Sequence, residues 1–215
     1  MSAQGRPRRA LIAVAVLGAA VFLVLLVVLA GRPYAPLDLA VQAGVDELRA
    51  PIPVTVAQVA TQAGASWVTG AVALVAVVVL VRRGRTTTAG VIAVGAIITF
   101  VAVQLAKLTL DRERPSLADI LVVADLGSYP SGHAAYVTVW VAIAITLGRG
   151  RSAVVTAAVA LAILVGLSRL YLRAHWLSDV LGGWGLGAAI FALCALAGAG
   201  VLRMREDAAS ATHRL

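Results

Sequence analysis

Lys107 with Arg114 and Pro115, the run Pro130-Ser131-Gly132-His133, and Ser168-Arg169 followed by His175 and Asp179 all stand at ends of apolar stretches. Two histidines, a carboxylate and three strong cations are thereby placed beside hydrocarbon, where ionisable groups are costly and mark function. These residue types suit one task together. The cations hold a tetrahedral oxyanion, and imidazoles attack it or protonate what leaves.

Each cluster also has an ordinary explanation. His175 and Asp179 are four apart and share one face once helical. A carboxylate that accepts from one imidazole nitrogen leaves the other as a directed lone pair, yet Asp179 could equally cap a helix. Pro130-Ser131-Gly132 places His133 at a helix mouth, where free N–H groups and the dipole favour an anion; it is also a common turn. Lys107, Arg114 and Arg169 singly read as cations snorkelling from helix ends. No packing rule collects two histidines and three cations on one rim. Arg112, Arg173, Asp111 and Glu113 read as solvated or secondary, with Arg173 a possible head-group contact.

The elements that must position these groups are membrane helices. Of 215 residues, 61% are hydrophobic and 13% charged, and mean hydropathy is +0.96. Six apolar segments run at about 10–30, 62–81, 88–108, 134–148, 152–168 and 180–202, most near the ~20 residues that cross hydrocarbon, the fourth and fifth short. Only helices satisfy their own backbone groups in lipid, so the expected fold class is all-α, a polytopic six-helix membrane protein. Residues 1–9 and 203–215 read as tails, the latter disordered, around a membrane domain at 10–202. The first segment exceeds a signal-peptide core and lacks a cleavage pattern, so it reads as a retained anchor.

Charge placement gives an orientation. With the N-terminus inside, the inner segments hold Arg6, Arg8, Arg9, Arg82, Arg83, Arg85, Arg149, Arg151, Arg203, Arg205 and Arg214, eleven of the eighteen Lys and Arg. Only Glu206 and Asp207 oppose them, a net of +9, and the outer segments total −1, which accounts for the +8 without nucleic acid. The positive-inside rule predicts N-in, C-in, and all three polar clusters then fall on the outer face. Residues 34–60 suggest a short surface helix with Leu37, Val41, Val45 and Leu48 as its apolar stripe, or else a plain loop, ended by Pro51 and Pro53. Gly183 and Gly187 form a G-x-x-x-G that reads as internal helix packing. Cys194, the single cysteine, reads as inert packing.

Lys107-x6-Arg114-Pro115, Pro130-Ser131-Gly132-His133 and Ser168-Arg169-x5-His175-x3-Asp179 resemble the three-part signature of the type-2 phosphatidic acid phosphatase superfamily, at all eleven positions. The six-helix pattern is similar to its membrane branch. The resemblance implies that His175 is the nucleophile forming a phosphohistidine, that Asp179 orients it, and that His133 serves as general acid and then base. It further implies that Lys107, Arg114, Ser131, Gly132 and Arg169 hold phosphoryl oxygens, supported by Pro130 and Ser168, with no metal ion or other cofactor. The same site binds vanadate in haloperoxidase relatives.

By this resemblance the chain is expected to be a lipid phosphatase in a cell membrane, with its site on the extracytoplasmic side. Its substrate would be undecaprenyl diphosphate, phosphatidic acid or phosphatidylglycerol phosphate. Its partners would be the bilayer and that lipid. A lipid phosphotransferase, a vanadium haloperoxidase and a non-catalytic membrane protein are the rival readings. Richness in alanine, valine and arginine suggests a bacterial source; the oligomeric state is not legible.

Overall fold

The computed structural model describes residues 5–32, 34–47, 54–115, 127–148 and 151–212, with side chains described between residues 7 and 204. All regular structure among the described residues is α-helical: α1 (Gly5–Leu29), α2 (Pro36–Glu47), α3 (Val54–Gln62), α4 (Ser66–Arg82), α5 (Thr86–Leu110), α6 (Gly132–Gly148), α7 (Ser152–Tyr171) and α8 (Leu177–Thr212). Leu48, Pro51, Pro53, Arg149 and Arg214, and the side chains of Arg6, Arg205, Glu206 and Asp207, lie outside the described set.

Five stretches are long and apolar enough to cross a membrane: Pro7–Leu29, Val54–Arg82, Thr86–Leu110, Ser152–Tyr171 and Leu177–Met204. The second joins α3 to α4 through a short turn at 63–65. The expected fourth segment, α6, has 17 residues, about 26 Å of helix against a hydrocarbon layer of about 30 Å. The fifth is longer than its apolar run: α7 reaches Tyr171 and carries Ser168 and Arg169 in its last turns. The C-terminal segment also departs from expectation. Its helix continues to Thr212, through alanine, arginine, glutamate and methionine, all good helix formers.

Large apolar side chains such as Leu17, Val27, Val75, Ile97 and Leu167 point outward, as they do where lipid is the solvent. Small residues set the inner contacts. A Cβ at Gly183 would meet the Ser131 carbonyl at 2.5 Å, and one at Gly187 would collide with Thr138 Oγ1 and meet the Ala135 carbonyl at 2.7 Å. The G-x-x-x-G therefore works inside the chain, seating α8 against the start of α6, and this seating brings two of the three motif clusters together. Gly18 and Gly185 do the same for α1 and α8.

The surface helix between α1 and α3 forms, with a different face inward. Asp38 and Gln42 are buried, Val41 and Val45 are half-buried against apolar clusters, and Leu37 and Leu39 are exposed. The apolar stripe does not decide this orientation, because cations inside the protein offer partners to the acidic side. Pro36 fills the first helical position, and the Ala35 N–H donates to Asp38 Oδ2 at 3.1 Å, a carboxylate three residues in that closes the helix start.

Candidate active site

Four helix ends meet around His175. Lys107 lies in the last turn of α5, His133 in the first turn of α6, Arg169 in the last turn of α7, and Asp179 in the first turn of α8. His175 itself precedes α8 by two residues, in the turn after α7, and is buried. The shared helical face expected for His175 and Asp179 is replaced by a turn against a helix start, which still brings Nδ1 to 3.4 Å from Asp179 Oδ2. The two atoms are close, but no hydrogen bond forms between them, so Nδ1 is a buried nitrogen with no hydrogen bond among the described residues.

Asp179 is fully buried and densely held. It accepts from the Trp176 N–H at 2.9 Å, from the Ser128 hydroxyl, and from Arg112 Nη1. The bond from Trp176 caps α8 from its third residue, so the capping role and the contact with His175 coexist in one carboxylate.

The cations lie on the other side of the ring. Lys107 Nζ donates to the Gly127 carbonyl at 2.5 Å, and Arg114 donates to the Ala174 carbonyl at 2.5 Å while its Nη1 lies 3.4 Å from His175 Nε2. Arg169 donates to Thr61 Oγ1 at 2.9 Å, and its Nε is buried with no hydrogen-bond partner among the described residues. Neither Lys107 nor Arg169 has a carboxylate within ion-pair distance among the described residues. Buried cations given only neutral oxygens are cations prepared for an anion.

Burial, and then the charges of Lys107, Arg169 and Arg114 with the ring of His133, hold His175 well below its ordinary 6.5. The imidazole is therefore neutral at neutral pH and has a lone pair to offer. Nδ1 faces Asp179 and Nε2 faces Arg114, so Nε2 is the nitrogen turned toward the cations. His133 interacts electrostatically with the same three cations.

Ser131 caps α6, accepting from the Ala134 N–H at 3.5 Å, and its own N–H donates to the Asp179 carbonyl at 2.9 Å, pinning this motif to the α8 start. A Cβ at Gly132 would press on the Tyr136 ring at 3.1 Å, and Pro130 is buried beside it. Ser168 lies apart in role: its hydroxyl donates to the Val165 carbonyl within α7 at 2.6 Å. A largely apolar cavity of about 400 Å³ between α4, α5 and α6 is bordered by Tyr136, which stacks on Phe100 at 5.8 Å.

Several residues that the motifs do not mark hold this site. Arg112, read as solvated or secondary, is 4% exposed rather than solvated; it donates to Asp38 Oδ2 at 2.7 Å, to Ser178 Oγ at 2.8 Å and to Asp179. Arg173, read as solvated or secondary with a head-group contact as the alternative, bonds Asp46 with its Nε at 3.0 Å. Thr61 holds Arg169, Ser128 holds Asp179, and Tyr129 ties the motif start to α1 by donating to the Phe22 carbonyl at 2.6 Å. Arg112 and Arg173 failed to stand out because a lone arginine near a helix end is usually solvated. A partner 74 or 127 residues away in the chain leaves no local pattern.

The sequence and the fold have counterparts in known proteins. A sequence profile of the PAP2 superfamily matches residues 88–200, more than half of the chain. Phosphatidylglycerophosphatase B of Bacillus subtilis (strain 168) is 33% identical over 98 residues, 42% of this chain and 48% of that protein, so the match spans about half the relative's length. The crystal structure of a transmembrane PAP2 type phosphatidylglycerolphosphate phosphatase from Bacillus subtilis shares the fold, with a TM-score of 0.70 and 24% sequence identity over 83% of this chain and 94% of that one. With three motif clusters drawn to one buried histidine on a shared helical frame, the chain belongs to the PAP2 superfamily.

Proposed function

We propose that this chain is a multi-pass membrane phosphatase that removes a terminal phosphate from a lipid through a phosphohistidine on His175. One observation carries the reading: a neutral, buried imidazole has its Nε2 beside a group of cations, of which Lys107 and Arg169 are bonded, among the described residues, only to neutral oxygens. In the first step the Nε2 lone pair forms an N–P bond while the phosphorus–oxygen bond to the lipid breaks. His133 gives the leaving oxygen a proton. In the second step water attacks phosphorus, His133 takes the water proton, the N–P bond breaks and inorganic phosphate leaves. Lys107, Arg114 and Arg169, with the backbone around Ser131 and Gly132, carry the charge on the phosphoryl oxygens.

Phosphatidylglycerol phosphate is the first substrate to test, because both relatives are named for it. Phosphatidic acid and undecaprenyl diphosphate share the terminal phosphate. The cavity beside Tyr136 and Phe100 suits an apolar tail. The arginine distribution supports N-in, C-in topology with six crossings and the site on the extracytoplasmic side. The test is phosphate release by purified protein from these three lipids in parallel, with chelator present. Release undiminished by chelator is expected. Label appearing on an acceptor lipid instead would make the protein a transferase, and no turnover of any of the three would overturn the proposal.

A further inference from the structure

We infer that the acidic face of α2, with Asp38 as its principal group, positions the turn that carries His175 and Asp179. Resting on the proposed chemistry at His175, this assigns a task to a helix that lies outside the residues matched to the superfamily. Asp38, Gln42 and Asp46 recur every four residues and share one side of the helix. That side faces the protein: Asp38 is 2% and Gln42 9% exposed.

Asp38 grips the turn from its C-terminal end. Oδ1 accepts from the Ser178 N–H at 2.9 Å, and Oδ2 accepts from the Ser178 hydroxyl at 2.7 Å and from Arg112 Nη2 at 2.7 Å. Asp46 grips it from the other end, through Arg173, two residues before His175 and in the left-handed region at φ 53°. Gln42 Nε2 donates to Asp46 Oδ1 at 3.2 Å and steadies that carboxylate. Burial works against the charge of Asp38, but the bonds from Ser178, Arg112 and Ala35 prevail and hold its carboxyl below the ordinary 3.8. It is therefore an anion in the folded protein.

The consequence for chemistry comes through Arg112, whose guanidinium is divided between Asp38 and Asp179. With Asp38 charged, Arg112 is partly neutralised and Asp179 keeps its field on His175 Nδ1. With Asp38 uncharged, the charge of Arg112 acts more fully on Asp179, and that carboxylate is weakened as the orienting partner. The other charges facing His175 are Lys107 from α5, Arg114 from the segment after it, Arg169 from α7 and His133 from α6. All of these stay unchanged, so the effect of Asp38 is separable from phosphate binding.

Asp38→Asn keeps the shape and removes the charge. The expected result is a fall in kcat of about 10- to 100-fold, in the range that slight misplacement of a reacting group produces. KM for the lipid should hold and Asp38→Glu should recover part of the loss, since the interaction lost is one that counts in the transition state. A second readout needs no turnover. The chain has three histidines, so ¹⁵N NMR of histidine-labelled protein in micelles resolves the His175 ring, and Asp38→Asn should lower its fraction protonated at Nδ1. Wild-type kcat in Asp38→Asn, or an unchanged His175 tautomer, would overturn the inference. A wild-type protein that releases no phosphate would overturn the proposed function instead, and the tautomer comparison would still decide the role of Asp38.

Discussion

The two flanks of His175 contain the same kinds of side chain and treat them in opposite ways. On the Nδ1 side, Arg112 is closed between Asp38 and Asp179, with Ser128 and Ser178 completing the network. On the Nε2 side, Lys107, Arg114 and Arg169 donate to the carbonyls of Gly127 and Ala174 and to the hydroxyl of Thr61. Arg112, Lys107 and Arg169 are withdrawn from water and Arg114 is half-buried, so the difference lies in what balances the buried charges. A buried cation between carboxylates is already satisfied and serves architecture. A buried cation on neutral oxygens, as Lys107 and Arg169 are among the described residues, retains its demand for an anion, and under the proposed function that anion is the phosphoryl group facing His175 Nε2.

The Nε2 flank should show the largest losses. Arg169→Gln keeps a donor for Thr61 but removes the charge, and should lower kcat/KM on a lipid phosphate by about 100- to 1000-fold, the usual effect of deleting one oxyanion donor. Vanadate inhibition should weaken in parallel. A loss confined to kcat, with vanadate affinity intact, would move Arg169 to the structural flank.

An intermediate effect concerns pH. Unfolded His175 titrates near 6.5, while burial first and the facing cations second place the folded group well below that value. Between the folded value and 6.5 the unfolded chain binds more protons. Stability contributed by the neutral ring is therefore complete above 6.5 and declines as pH falls toward the folded value. Thermal unfolding in detergent across this window should show a slope that His175→Gln reduces. A slope that the variant leaves unaltered would mean that the ring is hydrated or charged.

The smallest effect belongs to the outermost contact. Arg173 and Asp46 are partly exposed, at 17% and 32% of their side chains, and such pairs contribute about 0–1 kcal/mol. Asp46→Ala should cost less than about 1 kcal/mol in unfolding free energy and leave most of the turnover. A loss as large as that of Asp38→Asn would place the principal grip of α2 at the wrong end.

The helices were legible because hydrocarbon imposes long apolar runs, and the site was legible because its types and spacings are unusual beside such runs. Lys107, Arg114, His133, Arg169, His175 and Asp179 do gather at one place. Asp38 was not legible, for a physical reason. Hydrophobic periodicity assigns the inward face to apolar residues, and on α2 the inward face is chosen by the buried Arg112 and the half-buried Arg173, contributed from other parts of the chain. The signal that could have revealed it is the i, i+4, i+8 polar stripe Asp38-Gln42-Asp46 on a helix pressed between spans. Ser128 and Thr61 carry no pattern at all, since a single hydroxyl gains meaning only from the partner that the fold supplies.

The central claim is that the imidazole of His175 takes the phosphoryl group, and rapid quenching of the protein with lipid labelled in its terminal phosphate tests it most directly. Labelled protein that is stable in base and labile in acid, and absent from His175→Ala, is the predicted result. An acid-stable adduct, or label retained by His175→Ala together with turnover, would contradict it.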